Sequence, residues 1–220
     1  VICSGQVGLK CLWAQVTCFS ADTLEDVSAV WAQFDQAKSA RTAGEVGTSI
    51  AENFLHIADI HIKIKLLCSV GFDFDLNDGR PGAKTTPQER MNAVGQQEKK
   101  VRFVNGILSS GLDSADARHF LKRGPVIAAM SRTFDKCASS AEAFWSDVRD
   151  NTGLDPYSPT RRLHKILNDY SVASGGGSKG SKKGIAPEVM FGWCIIAWNA
   201  YRTKDLDFEF GGSNFIPKAL

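Results

Sequence analysis

The chain has 220 residues, with 26 Lys plus Arg against 24 Asp plus Glu and a net charge of +2. Hydrophobic residues make up 43% and charged residues 23%, the balance of a chain that folds around a core. These figures exclude wholesale disorder, collagen-like repeats and a disulfide-dominated miniprotein, and they confine any nucleic-acid role to a local basic patch.

In chain order, Gln6 to Ala14 reads as a short helix and Gln15 to Phe19 as a short strand. Asp22, three residues before Glu25, makes a capping-box pattern. The helix it opens carries Leu24, Val27, Val30, Trp31 and Phe34 at helical spacing. Thr42 and Glu45 repeat the pattern. Residues 56–70 fit both periods: Ile60, Ile62, Ile64 and Leu66 alternate, while Ile57, Ile60, Ile64 and Leu67 share one helical face. The helix is favoured because the rest is helical. Gly71 to Thr86 reads as a polar loop.

Thr86, Pro87 and Glu89 then give a strong helix start. Further helices are expected at about 96–109, 114–122, 126–136, 139–150, 160–169 and 185–203. Gly111, Gly124-Pro125, Gly153 and Ser158-Pro159 punctuate them. Ser171 to Gly184 is almost all Ser, Gly and Lys. It cannot bury a core and is expected to be a mobile loop. Leu206 to Phe210 alternates and predicts a short strand. The expected fold is mainly α: residues 1–41 form a small α/β segment and residues 42–220 a multi-helix domain.

Cysteines stand at 3, 11, 18, 68, 137 and 194, without a CxxC pair. This scatter predicts reduced, mostly buried thiols in a cytoplasm, with no metal or cofactor. Apolar runs fall short of the roughly 20 residues that span a bilayer, so no membrane role is expected. The helix from Met190 to Tyr201 is apolar nearly all round, so either the core or a partner such as a second copy must bury it. The chain opens on Val1 rather than Met, which predicts a start internal to a longer product, or processing.

Several constellations fall short of a site. Asp73, Asp75, Asn77 and Gly79 have calcium-loop spacing, but Asp78 and Lys84 occupy the places of the required Gly and Glu. The Gly/Ser/Lys run has its phosphate-loop residues out of order. His56, Asp59 and His61 do not face one way on a helix, and Asp116 and His119 make at most a surface pair. Gly124-Pro125 sits where a helix-turn-helix would turn, with Arg132 and Lys136 on the second helix, yet a DNA-reading face is denser in basic and amide groups. Arg161, Arg162 and Lys165 cluster at a helix start, near Lys179, Lys182 and Lys183 in sequence. Together with Lys99, Lys100 and Arg102 they are the candidate phosphate contacts, at a helix N-terminus whose free amides favour anions. The competing reading is a solvated face.

The opening SGQVGLK and the later VWAQFDQAKSARTAGEV resemble ParB/sulfiredoxin-like proteins of phages and plasmids, as does IIAWNAYRTKDLDFEF near the end. Gly5 and Gln6 match the centre of the family's first motif, and Phe34, Asp35, Gln36, Lys38, Arg41 and Thr42 line up with its second. The family's Asp is Ser4 here, and its His-Arg pair is Val7-Gly8. Family members also carry a β-rich segment before this motif. The resemblance implies a shortened, degenerate copy without catalytic chemistry, since Val and Gly can neither move a proton nor hold phosphate by a side chain. It implies an accessory protein that binds nucleic acid or a nucleoprotein complex in the host cytoplasm. The alternative is an anti-CRISPR-type inhibitor that blocks a host nuclease complex by protein-protein binding.

Overall fold

The structure is a computed structural model that describes residues 20, 22, 23, 26, 57, 59–80, 85–109, 120–152, 155–172, 184–211 and 217–220. The chain divides into two compact units, residues 1–40 and 41–220. In the first, Thr23 and Asp26 form a reciprocal cap. The Thr23 amide and hydroxyl donate to Asp26 Oδ2 at 3.0 and 2.8 Å, and the Asp26 amide donates to Thr23 Oγ1 at 3.1 Å. The cap therefore falls one residue later than the Asp22–Glu25 spacing predicts. The strand expected at 15–19, most of the helix after it and Ser4 to Gly8 lie outside the described residues.

The second unit is mainly α-helical. Its described helices are α1 (Ile62–Leu76), α2 (Pro87–Gly95), α3 (Glu98–Ser109), α4 (Gly124–Lys136), α5 (Ala138–Asp150), α6 (Pro159–Asp169) and α7 (Pro187–Thr203). Helix α1 settles the two-period stretch as helix from Ile62 onward, leaving Ile57 and Ile60 before its His61 cap, and corrects the loop expected from Gly71. It continues to Leu76, with Gly71, Phe72, Phe74 and Asp75 buried. Gly71 is needed where α1 crosses α4: a Cβ there would sit 2.4 Å from Ile127 Cγ2 and 2.7 Å from Ile127 Cβ, inside any van der Waals contact. The helix ends at Asn77, whose Nδ2 donates to the Asp73 carbonyl at 2.7 Å. Asp78 and Gly79 follow with φ of 52° and 74°. The residues with calcium-loop spacing are thus the last turn and cap of a helix.

Helix α2 starts as its sequence dictates. Thr86 N–H donates to Glu89 Oε2 at 2.7 Å and Glu89 N–H to Thr86 Oγ1 at 3.2 Å, with Pro87 in the first turn. Of the helix expected at 114–122, the described part is a single 3-10 turn, Phe120–Lys122. Asn151, in the left-handed region at φ 53°, stops α5, a role expected of Gly153. Ser171–Val172 and Gly184–Ile185 pair as short parallel strands, β1 and β2. The two ends of the stretch expected to be a loop are therefore tied together. Residues 173–183, with Lys179, Lys182 and Lys183, lie outside the described residues.

Helix α4 is the centre of the core, packed on α1, α7, α5 and α3. Val126 to Met130 are fully buried, as are Ser131 and Thr133. This placement removes the helix-turn-helix reading: the second helix of the supposed pair is interior, and Arg132 is bound to Asp75 at 2.6 Å. Trp145 lies against it and donates from Nε1 to Thr133 Oγ1 at 2.9 Å. Helix α7 is covered by its own chain, with Met190, Phe191, Cys194, Ile195, Ala197 and Trp198 fully buried. Its aromatic rings are core, so this helix does not need a second copy to cover it. No described helix is long and apolar enough to cross a membrane.

Leu206 to Phe210 form no strand. Their alternation instead puts Phe208 and Phe210 on one side, 5.1 Å apart and edge to face. Phe210 also meets Trp193 at 6.0 Å, and the Trp193 indole N–H holds the Gly211 carbonyl at 3.0 Å.

Candidate functional site

Helix α6 reads PTRRLHKILND. Its buried residues Leu163 and Leu167 are four apart and turn one face to the core. Arg161, Lys165 and Asn168 follow on another face, at the i, i+4 and i+3 spacing that stacks side chains along a helix. All three are exposed. They line a concavity of about 740 Å³ that Arg162, Tyr157, Asn151 and Phe210 also line.

The start of α6 is not the free-amide anion site that the sequence promises. Ser158 Oγ caps the Arg161 amide at 3.4 Å, Pro159 has no N–H, and the Arg162 amide donates to the Ser158 carbonyl at 3.0 Å. Any anion is drawn by side chains along the flank of the helix instead. Arg162 has a second duty there. Its guanidinium lies 4.1 Å from the Phe208 ring centre and 5.7 Å from that of Phe210, and Nη1 donates to the Leu206 carbonyl at 3.2 Å. It pins the 206–210 segment as well as lending charge.

His164 Nδ1 sits 2.7 Å from the Val148 carbonyl, with the ring edge-on to Phe120 at 5.0 Å. A carbonyl only accepts, so Nδ1 carries the proton. The ring is thereby fixed between α5 and α6.

The structure does not bring the α3 residues to this concavity. Lys99 is exposed. Lys100 Nζ is 2.6 Å from Asp135, and Arg102 bridges Asp59 at 2.7 Å and Glu98 at 2.6 Å. The Arg102 hydrogen bond holds the Asp59 carboxyl below its ordinary range. Such exposed pairs contribute little to stability, but each competes with a phosphate for the cation. Asp59 is engaged by Arg102, and His61 Nδ1 accepts the Lys63 amide at 3.1 Å to cap α1. Among the described residues no cluster of His, Cys, Asp and Glu is placed to hold a metal ion.

Sequence reasoning missed Tyr157, Asn151, Asn168 and Phe210. Tyr157 left a signal, as an aromatic ring between two prolines in a polar turn. Asn168 follows Lys165 at helical spacing, while Asn151 and Phe210 reach the concavity through folding.

Cys137 is chemically distinct from the other described thiols. Burial pushes Cys68 and Cys194 far up. Cys137 precedes α5 and is lowered to about 7, first by the Ser140 hydroxyl and amide, then by Ser139, with a smaller pull from Arg202. Its Sγ is 3.2 Å from Ser140 Oγ. Arg202 Nη1 donates to that same oxygen, which accepts from the thiol, at 2.7 Å. A lowered value means that the thiolate appears as pH rises through 7, and the thiolate is the reactive form. Alkylation of Cys137, followed by peptide mass spectrometry, is expected to rise between pH 6 and 8 with a midpoint near 7. Cys68 and Cys194 are expected to stay unmodified in the folded chain. A Cys137 midpoint above 8.5, the value of an ordinary thiol, would show that the hydroxyls do not act on it.

Compared with protein-family models, with curated proteins and with solved structures, the chain matches none.

Proposed function

We propose that this chain is a non-catalytic accessory protein, of the ParB/sulfiredoxin-like kind found in phages and plasmids, that binds the phosphates of nucleic acid or of a nucleoprotein complex. The observation that carries the reading is the convergence of Arg161, Arg162 and Lys165 on one concavity of a chain whose net charge is only +2. Asp169 is the one carboxylate among the described residues that line it. A near-neutral chain owes its polyanion affinity to such a local patch rather than to its overall field. The absence of a catalytic role is supported by Val7 and Gly8, which stand where the family carries His and Arg.

The test replaces Arg161 and Lys165 together by Ala and leaves Arg162, which also holds the 206–210 segment. Both positions are exposed, and circular dichroism with the thermal midpoint checks that the variant is folded. Affinity for nucleic acid is expected to fall. The slope of log affinity against log salt is expected to flatten by about 0.7–0.9 for each phosphate that is no longer neutralised. An unchanged affinity and slope in the folded variant would refute the reading. The protein-binding alternative, an anti-defence inhibitor of a host nuclease complex, would then lead. A pull-down from host lysate that survives nuclease treatment would identify its target.

A further inference from the structure

We infer that the α6 concavity takes an unpaired nucleotide, with its base on the Tyr157 ring and its phosphate between Arg161 and Lys165, so that the chain prefers single-stranded to duplex nucleic acid. The inference rests on the phosphate-binding reading above and names the ligand more narrowly. It starts from Tyr157. Among the described residues this is the large aromatic side chain left exposed, at 67%, while the other rings are packed in or against the core. It stands on the wall of the concavity that carries Arg161 and Lys165. An exposed ring beside cations is the arrangement by which single strands are held, with bases stacked on aromatics and the backbone along a basic groove.

The backbone that carries the ring is fixed. Tyr157 N–H donates to Asp155 Oδ1 at 2.8 Å, and Ser158 N–H donates to the Asp155 carbonyl at 3.0 Å. Pro156 and Pro159 flank the pair and restrict the backbone further. A backbone already fixed in this way loses little entropy on binding. Phe210 adds apolar surface, and Asn151 supplies an amide donor and acceptor for a base edge. The volume of about 740 Å³ lies within the range of small-ligand clefts. A duplex cannot use this site, because its base faces are already stacked on one another and only their edges are open.

The test is fluorescence anisotropy of the full chain with a fluorescein-labelled DNA oligonucleotide of mixed sequence, as a single strand and as its duplex, at matched salt. The single strand is expected to bind more tightly. Tyr157→Ala is expected to weaken single-strand binding about 5- to 150-fold and to change duplex binding by less than about twofold. Tyr157→Phe, which keeps the ring, is expected to bind like the parent. The side chain is exposed, so both variants are expected to keep the parent's thermal midpoint. Equal affinity for the two forms, with Tyr157→Ala neutral on both, would overturn the stacking site. The phosphate-binding reading would still stand in that case if the Arg161→Ala, Lys165→Ala variant weakened both forms. Failure of the parent chain to bind either form would remove both.

Discussion

Replacing Arg132 by Met is expected to destabilise the second unit by about 3–5 kcal/mol, because it strands a buried carboxylate. Asp75 is 8% exposed. Its Oδ1 accepts Arg132 Nε at 2.6 Å and its Oδ2 accepts the Ser131 hydroxyl at 2.9 Å. Arg132 Nη2 also donates to the Asp75 carbonyl at 2.6 Å, and the guanidinium lies 5.4 Å from the centre of Phe191. The pair therefore ties the end of α1 to the middle of α4 and to α7. Without the guanidinium, Asp75 keeps one hydroxyl donor for a carboxylate that stays mostly buried. The loss would be a large part of a typical stability of about 5–15 kcal/mol. The double variant Asp75→Asn with Arg132→Met is expected to recover part of it, since no bare charge is then buried. Urea unfolding measures both. A loss under about 1 kcal/mol for the single variant would mean that the pair behaves like a surface ion pair.

This pair also marks what the sequence could and could not reveal. Helices α2 and α6 were legible because their starts are written locally, in Thr86-Pro87-Glu89 and Ser158-Pro159. Helix α7 was legible because an apolar run of that length must be buried. The second half of α1 was not legible. Gly71, Asp73 and Asp75 have the composition of a loop, and what makes them helical is tertiary. Gly71 lets Ile127 approach, and Asp75 has its partner 57 residues away. The 206–210 segment has a strand's alternation but, among the described residues, no strand beside it, so its period reports the packing of Phe208 and Phe210 on Arg162. The candidate site was legible to the same extent. Arg161, Arg162 and Lys165 are neighbours in the chain, so a helix alone brings them together. Lys100 and Arg102 looked equally open in the sequence, yet Asp135 and Asp59 reach them from 35 and 43 residues away. Such pairings cannot be read from spacing.

Trp198→Ala is expected to cost about 3–5 kcal/mol, the range for emptying a buried aromatic site. Trp198 is fully buried. Its ring meets Phe144 edge to face at 5.5 Å and stacks near Tyr201 at 6.3 Å, with Arg202 5.6 Å from its centre. Phe144 in turn meets Trp145 at 5.1 Å, so a void at 198 faces the rings that hold α5 on α7. The indole N–H also donates to the Leu220 carbonyl at 2.9 Å. Trp198→Phe separates the two contributions. It keeps most of the ring packing, removes the hydrogen bond, worth about 0.5–1.5 kcal/mol, and leaves a smaller void. It is expected to cost less than half as much as Ala. Asn199 still holds residues 218–220 in both variants, through Nδ2 to the Lys218 carbonyl at 2.8 Å and Oδ1 from the Leu220 amide at 2.9 Å. Amide exchange is therefore expected to quicken at 218–220 without reaching the free-chain rate, while α5 and α7 lose protection together. If Ala and Phe cost the same, the hydrogen bond to Leu220 would carry the effect, and the aromatic cluster around Phe144 would not be what joins the two helices.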